Sequence, residues 1–371
     1  MLKYGTLFLG LMMPLFCVAY APFSVVSPNY QTDQKSQITF NKIPPFYSQD
    51  GLGNCFSATT AAYVDMLNCK AENENPNVNN CQNLNPADTL SRLATGKFAG
   101  SKKGATKEED YSGLLPTDGA NPITNLENII YDKICPPSQA CASLDKSLTN
   151  FSDSGKYAEA KAAIFDQLKQ KHQSITKGCI DCTVTMTARD EEEIKSLTNQ
   201  LELKNNVNVL QAFTNSSYSQ FLEKILMPNK CNQKSSEWRC YDGPENVKVE
   251  AFPINNEKPG KEALNKTIVK IKDILKKDTP VILNNICTKP SGKCETKDPA
   301  LHTLIITGYR KVCGPTGCKD SLRVYNSWGT SWQQQHADGW LDADSLLDST
   351  SYKAGILTWV QDTGNKATAS L

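Results

Sequence analysis

The segment after Cys55 places Phe56, Tyr63, Met66 and Leu67 at helical spacing, which predicts a helix with Cys55 at its N-terminus. Helices are also expected over Tyr157 to about His172, Asp190 to about Leu203 and Ser217 to Met227; the second carries acidic residues in its first turn. From Lys261 to Lys276 the apolar residues Leu264, Ile268, Ile271 and Leu275 share one face of a further helix. The period then changes. Pro280 to Leu283, Leu301 to Gly308, Leu322 to Tyr325 and Gly339 to Leu341 are short apolar or β-branched runs bounded by turns, the pattern of an antiparallel sheet. Asn73 to Asp118 is rich in Asn, Gly, Lys and Thr and reads as long surface loops, and the polar stretch from Pro22 to about Ser36 reads as an extended arm. With helices first and strands last, the fold class is α+β.

The start of the chain has a different pattern. Lys3 supplies a positive charge, Leu7 to Val18 is an apolar run, and Ala19-Tyr20-Ala21 is a small-x-small cleavage site, so residues 1–21 read as a secretory signal peptide cleaved near Ala21. Phe16 is too bulky for a lipoprotein anchor at Cys17, and no other stretch is long and apolar enough to span a bilayer. At 371 residues and 39% hydrophobic, the chain can bury a sizeable core as one large domain or two smaller ones. Forty Lys and Arg balance 39 Asp and Glu, which gives no electrostatic preference for nucleic acid or an anionic membrane.

Setting aside Cys17 in the signal peptide and Cys55 leaves twelve of the fourteen cysteines. They fall into sequence neighbours: Cys69/Cys81, Cys135/Cys141, Cys179/Cys182, Cys231/Cys240, Cys287/Cys294 and Cys313/Cys318. Local disulfides between these neighbours suit a secreted or periplasmic protein. Cys179 and Cys182 could form half of a zinc site, but a second half with ligand spacing is missing and the chain has three His, so no metal is expected. A redox role for the same C-x-x-C would need a βαβ context, whereas Thr183 to Thr187 looks like one isolated strand.

Cysteine chemistry needs a thiolate, which a helix N-terminus and an imidazolium partner both favour. Gln49 precedes Cys55 by six residues across a Gly-containing loop, so its amide and the Cys55 backbone N–H can face one point, as an oxyanion hole requires. His302 leads the apolar run that ends in Gly308-Tyr309, and Asn326-Ser327-Trp328-Gly329 follows another. In these segments, and in their order, the chain resembles the papain-like cysteine peptidases. The resemblance covers about residues 38–70 and 260–360. It implies Cys55 as nucleophile, His302 as general base, Asn326 as the acceptor that orients the imidazole, and Gln49 as oxyanion donor. It also implies that Gly53, Asn54 and Trp328 border the substrate, with Trp328 shielding the His–Asn hydrogen bond from water. The implied fold has a helical part and an antiparallel, β-barrel-like part with the active site in the cleft between them. The implied activity is hydrolysis of protein or peptide substrates through an acyl-enzyme, without a cofactor. An acyl transferase or amidase could use the same thiol, and a non-catalytic binding protein could use the same scaffold.

The chain departs from the family pattern in three places. Leu52 stands where the signature has an upstream Cys, so the disulfide that Cys would make is missing too. Cys55 and His302 are 247 positions apart, against about 130–150 in the signature. An insertion over roughly 100–255 is therefore expected within a peptidase domain of residues 38–371 that follows an arm of residues 22–37. Between signal cleavage and Gln49 there is too little chain for a helical pro-domain, so either an unidentified inhibitor or the insertion controls activity, or nothing does. His172, in a charged helix, and His336, in a polar turn, are expected to face solvent.

Overall fold

A computed structural model describes residues 23–49, 53–72, 80–99, 120–149, 155–176, 186–214, 217–227, 231, 239–254, 261–289, 294, 300–350 and 355–364. The expected signal peptide and the Cys179/Cys182 pair lie outside these residues. The chain is α+β: one open antiparallel sheet with helices on both faces and a separate helical cluster beside it.

The seven strands are β1 (Gln31–Thr39), β2 (Val247–Pro253), β3 (Val281–Cys287), β4 (Leu301–Gly314), β5 (Gly317–Tyr325), β6 (Trp340–Asp342) and β7 (Ile356–Asp362). They run in the order β2-β7-β3-β4-β5-β6, and β1 pairs with β4. The expected β-barrel-like half is thus an open sheet, because the outer strands β2 and β6 each pair with one neighbour and do not meet. The stretch expected as an extended arm is a ladder strand from Gln31 onward, with Gln31 opposite Cys313 and Thr39 opposite Gly308.

Among the described residues there are ten α-helices: α1 (Cys55–Glu72), α2 (Pro122–Tyr131), α3 (Leu144–Ser147), α4 (Gly155–Thr176), α5 (Ala188–Leu201), α6 (Val209–Thr214), α7 (Tyr218–Leu226), α8 (Lys261–Leu275), α9 (Gly329–Gln335) and α10 (Ala343–Asp348). The period-two alternation of the strands divides the core. Ile282, Ile305, Tyr325 and Val360 pack against Ala61, Tyr63 and Met66 of α1 and against α2. Val281, Leu283, Leu304, Ile306 and Val324 point the other way, onto Ile268, Ile271 and Leu275 of α8 and onto α10. A third cluster, built from α3 to α7 with Leu93 and Ala94, is the core of the helical part.

Two of the expected disulfides are corrected. Cys135 pairs with Cys240 and Cys141 with Cys231, not Cys135 with Cys141 and Cys231 with Cys240. The chain leaves for the helical cluster and returns beside its own exit, where Arg239 N–H donates to Pro136 O at 2.9 Å, so cysteines about a hundred residues apart become neighbours. Cys69–Cys81, Cys287–Cys294 and Cys313–Cys318 pair locally. Disulfides in this number fit an extracellular or secreted setting. Among the described residues no helix is long and apolar enough to cross a membrane.

Candidate active site

Cys55 is the first residue of α1, and Asn54 O accepts the N–H of Ser57 at 2.9 Å and of Ala58 at 3.0 Å, closing the first turn. Among the described cysteines it alone is outside a disulfide. Small residues at 57–62 (Ser, Ala, Thr, Thr, Ala, Ala) let this turn sit directly on β4, where Thr59 Oγ1 donates to Thr303 O at 3.0 Å. Burial pushes the Cys55 thiol up, and hydrogen bonding from Thr303 and from the N–H groups of Phe56 and Cys55 only partly offsets it. The residue still keeps some exposed surface.

His302, 4% exposed, is the second residue of β4. Its Nε2–H donates to Asn326 Oδ1 at 2.8 Å, and the ring stacks on Trp328 with centroids 4.6 Å apart. Since an amide oxygen can only accept, the bond fixes the tautomer and leaves Nδ1 as the basic nitrogen. Burial lowers the His302 pKa to about 4, against the smaller upward pull of the Asn326 bond. Burial thus disfavours the charged form of both groups. Among the described residues the groups that hydrogen-bond the Cys55 sulfur come from Thr303, Phe56 and Cys55 itself, not from the imidazole.

The turn after β5 holds the rest of the site together. Gln49 N–H donates to Ser327 O at 2.7 Å, Ser327 Oγ donates to Gln49 Oε1, and Ser48 bridges to Trp328. With Gln49 Oε1 held, the amide's remaining capacity is its two N–H donors. Gly329 has φ +82°, a left-handed backbone that favours glycine at the end of the Asn-Ser-Trp-Gly run. Trp328 is walled in by Phe23 at 6.2 Å and Trp332 at 5.8 Å, and Phe23 also meets Trp332 edge-on.

A cavity of about 510 Å³ starts at Gln49 and Asn54 and extends along Tyr47, Pro86, Arg92, Gln139 and Lys146. Asn54 is buried, and its Oδ1 has no partner among the described residues. Gly53 is exposed. The fold thus brings Gln49, Gly53, Asn54 and Cys55 together on one segment, and His302, Asn326 and Trp328 together on β4 and the turn after β5. Among the described residues there is no group of His, Cys, Asp or Glu that could hold a metal ion.

One histidine differs from expectation, and another is half-exposed. His172 is buried, not solvent-facing, packed on Phe213 at 5.0 Å and Tyr218 at 5.8 Å, because the helical cluster closes over the charged helix. His336 stacks on Trp332 at 4.1 Å and bonds Trp332 O through Nδ1 at 2.8 Å, which ties it to the helix before it. Phe23, Thr303 and Asn284 belong to the site's surroundings without any signal in the residue pattern. Thr303 is adjacent to His302, but Asn284 reaches the site only through a strand irregularity that no periodicity encodes.

No family model matches the chain, and no curated protein matches it. Among solved structures the chain is similar to the SERA5 proenzyme from Plasmodium falciparum at 13% identity and a TM-score of 0.38, over 85% of this chain and 61% of that one. A likeness of that size defines neither the chemistry nor the site residues of this chain.

Proposed function

We propose that the protein is a cysteine peptidase of papain-like type. The reading rests on one juxtaposition: a thiol outside any disulfide at the N-terminus of α1, lying against the residue that follows a His held by an Asn. Gln49, tied to the turn that carries that Asn, complements it.

In this reading Cys55 Sγ attacks the peptide carbonyl carbon while its proton passes to His302 Nδ1. The carbonyl oxygen becomes an oxyanion that accepts from the Gln49 amide and the Cys55 backbone N–H. The imidazolium returns the proton to the leaving amine as the C–N bond breaks, and a thioester to Cys55 remains. Water, deprotonated by His302, releases the acid and restores the thiol. Asn326 holds Nε2–H throughout, so Nδ1 stays the working nitrogen. Because burial disfavours both charged forms, proton transfer and attack are coupled.

The test is turnover of a peptide library by wild type, Cys55→Ala and His302→Ala under mildly reducing conditions that leave structural disulfides intact. Cys55→Ala should be silent and His302→Ala slower by about 10²–10⁴-fold. Cleavage that survives in Cys55→Ala would sink the proposal. The burial of both groups favours one other reading, a peptide-binding protein with a silent thiol; saturable peptide binding without any product would identify it.

A further inference from the structure

The β3–β4 ladder is broken at one point. Leu283 pairs with Leu304 and Ile286 with His302, so Asn284 and Asn285 together oppose Thr303. Asn285 takes φ +62°, a left-handed conformation, as bulged strands near functional sites do. The bulge brings the Asn284 amide under Thr303, where Thr303 Oγ1 and Asn284 Oδ1 lie 2.6 Å apart. Both residues are buried, at 3% and 7% exposure.

Counting protons fixes the direction of this bond. Asn285 N–H donates to the same Asn284 Oδ1 at 2.9 Å, so that atom is an acceptor. The Thr303 hydroxyl is then the donor, and its single proton is committed to Asn284. Thr303 also meets the Cys55 sulfur through its side chain, where the first turn of α1 sits on β4; with its proton on Asn284, what Oγ1 offers the sulfur is lone-pair density, which suits S–H and opposes S⁻.

We propose that Asn284 and Thr303 form a hydroxyl relay that holds Cys55 as a thiol at rest and, when the Thr303 proton swings from Asn284 to the sulfur, stabilises it as a thiolate. The relay adds two residues to the catalytic apparatus of the proposed peptidase and rests on that reading for its purpose, but its effect on the thiol is a property of the protein alone. A hydrogen bond to a thiolate is charge-assisted and stronger than one from a thiol, so the swing favours the thiolate and is opposed by the loss of the Asn284 bond. Among the described elements packed around the sulfur, β4 brings His302 and the β3 bulge contributes neutral amides; Asp65, ten residues along α1 and so about 15 Å away, is matched by Arg92 at 2.7 Å.

The experiment follows the rate of Cys55 alkylation by iodoacetamide against pH, read by mass spectrometry of the Cys55 peptide, in the disulfide-intact protein. Asn284→Leu removes the competing acceptor and should lower the inflection by about one pH unit, which is about tenfold faster alkylation on the acid limb. Thr303→Val removes the donor and should raise the inflection, Thr303→Ser should match wild type, and the double variant should follow Thr303→Val. Shifts in the same direction for the two single variants, or a lowering that persists in the double variant, would overturn the relay. If Asn284→Leu does not fold, Val against Ser at 303 decides: an unchanged inflection in Thr303→Val overturns the proposal. Alkylation needs no peptide, so a failed relay is distinguishable from a failed peptidase reading, which shows as no turnover by wild type.

Discussion

His302 ties the site to the stability of the whole molecule. Its pKa falls from the ordinary value near 6.5 to about 4 on burial, so the unfolded chain binds a proton in a range where the folded protein does not. The stability this neutral histidine preserves is full above about pH 6.5, is lost as pH falls, and levels off below about pH 4. The whole effect is on the order of 3 kcal/mol. Thermal midpoints measured across this range should fall more steeply for wild type than for His302→Gln, and parallel curves would contradict the assignment. Asn326 is the other residue to test. Asn326→Ala leaves Nε2–H without its acceptor and the tautomer unspecified. The loss of one buried hydrogen bond of about 1–2 kcal/mol corresponds to a roughly 5- to 30-fold drop in kcat. KM should be nearly unchanged, because Asn326 orients the base and does not touch the peptide. A KM effect with intact kcat would place Asn326 in binding instead.

At the scale of elements, α1 does two jobs. Its N-terminus presents Cys55, and its middle anchors the loop that lines the cavity. Asp65 accepts from Arg92 Nη1 at 2.7 Å and from Leu90 N–H at 3.0 Å, with both charged side chains 5% exposed. Burial raises the Asp65 pKa, while Arg92 and the Leu90 N–H pull it back down. Replacing Asp65 by Ala would leave Arg92 buried and unpaired, which should cost about 3–5 kcal/mol in denaturant unfolding. A loss below about 1 kcal/mol would show that Arg92 reaches solvent instead. The helix itself was readable from Phe56, Tyr63, Met66 and Leu67, as were α5, α7 and α8 from their apolar faces and caps. β2 and β7 went unread. β2 alternates weakly, with Lys248 and Glu250 exposed or half-exposed at a sheet edge, so its pattern has little contrast. α2 carries a legible start signal: Asn121 caps it by accepting from Ile123 N–H at 3.0 Å, with Pro122 at its first position. The site was legible where chemistry lies in short runs, Gln49 to Cys55 and Asn326 to Gly329. It was illegible where a bulge or a packed aromatic from a distant segment completes it, as with Asn284 and Phe23.

For the whole molecule the decisive feature is how the helical cluster is fastened. Pairing by sequence proximity assumed that short loops close first. The fold instead brings the two ends of a long excursion together, and Cys135–Cys240 and Cys141–Cys231 clasp them, partners that stand 105 and 90 positions apart. Non-reducing peptide mapping should recover these two linkages; a Cys135–Cys141 peptide would refute them. Loops of this length constrain the unfolded chain by about 4–5 kcal/mol when one bridge is removed alone, while the second, nested bridge limits the additional loss. Cys141→Ser with Cys231→Ser should therefore destabilise by up to about 4 kcal/mol, with most of the cost in the cluster of Phe213, Phe221 and Ile225, which then opens independently. The same clasp reaches the cavity. Gln139, Ala140, Ser143 and Leu144 flank Cys141 and line the wall opposite Gln49 and Asn54. Loosening that wall should raise KM for a peptide that fills the cavity by several-fold, and leave the rate of Cys55 alkylation as in wild type. If alkylation changed instead, the helical cluster would be acting on the thiol and not on the cavity that receives the peptide.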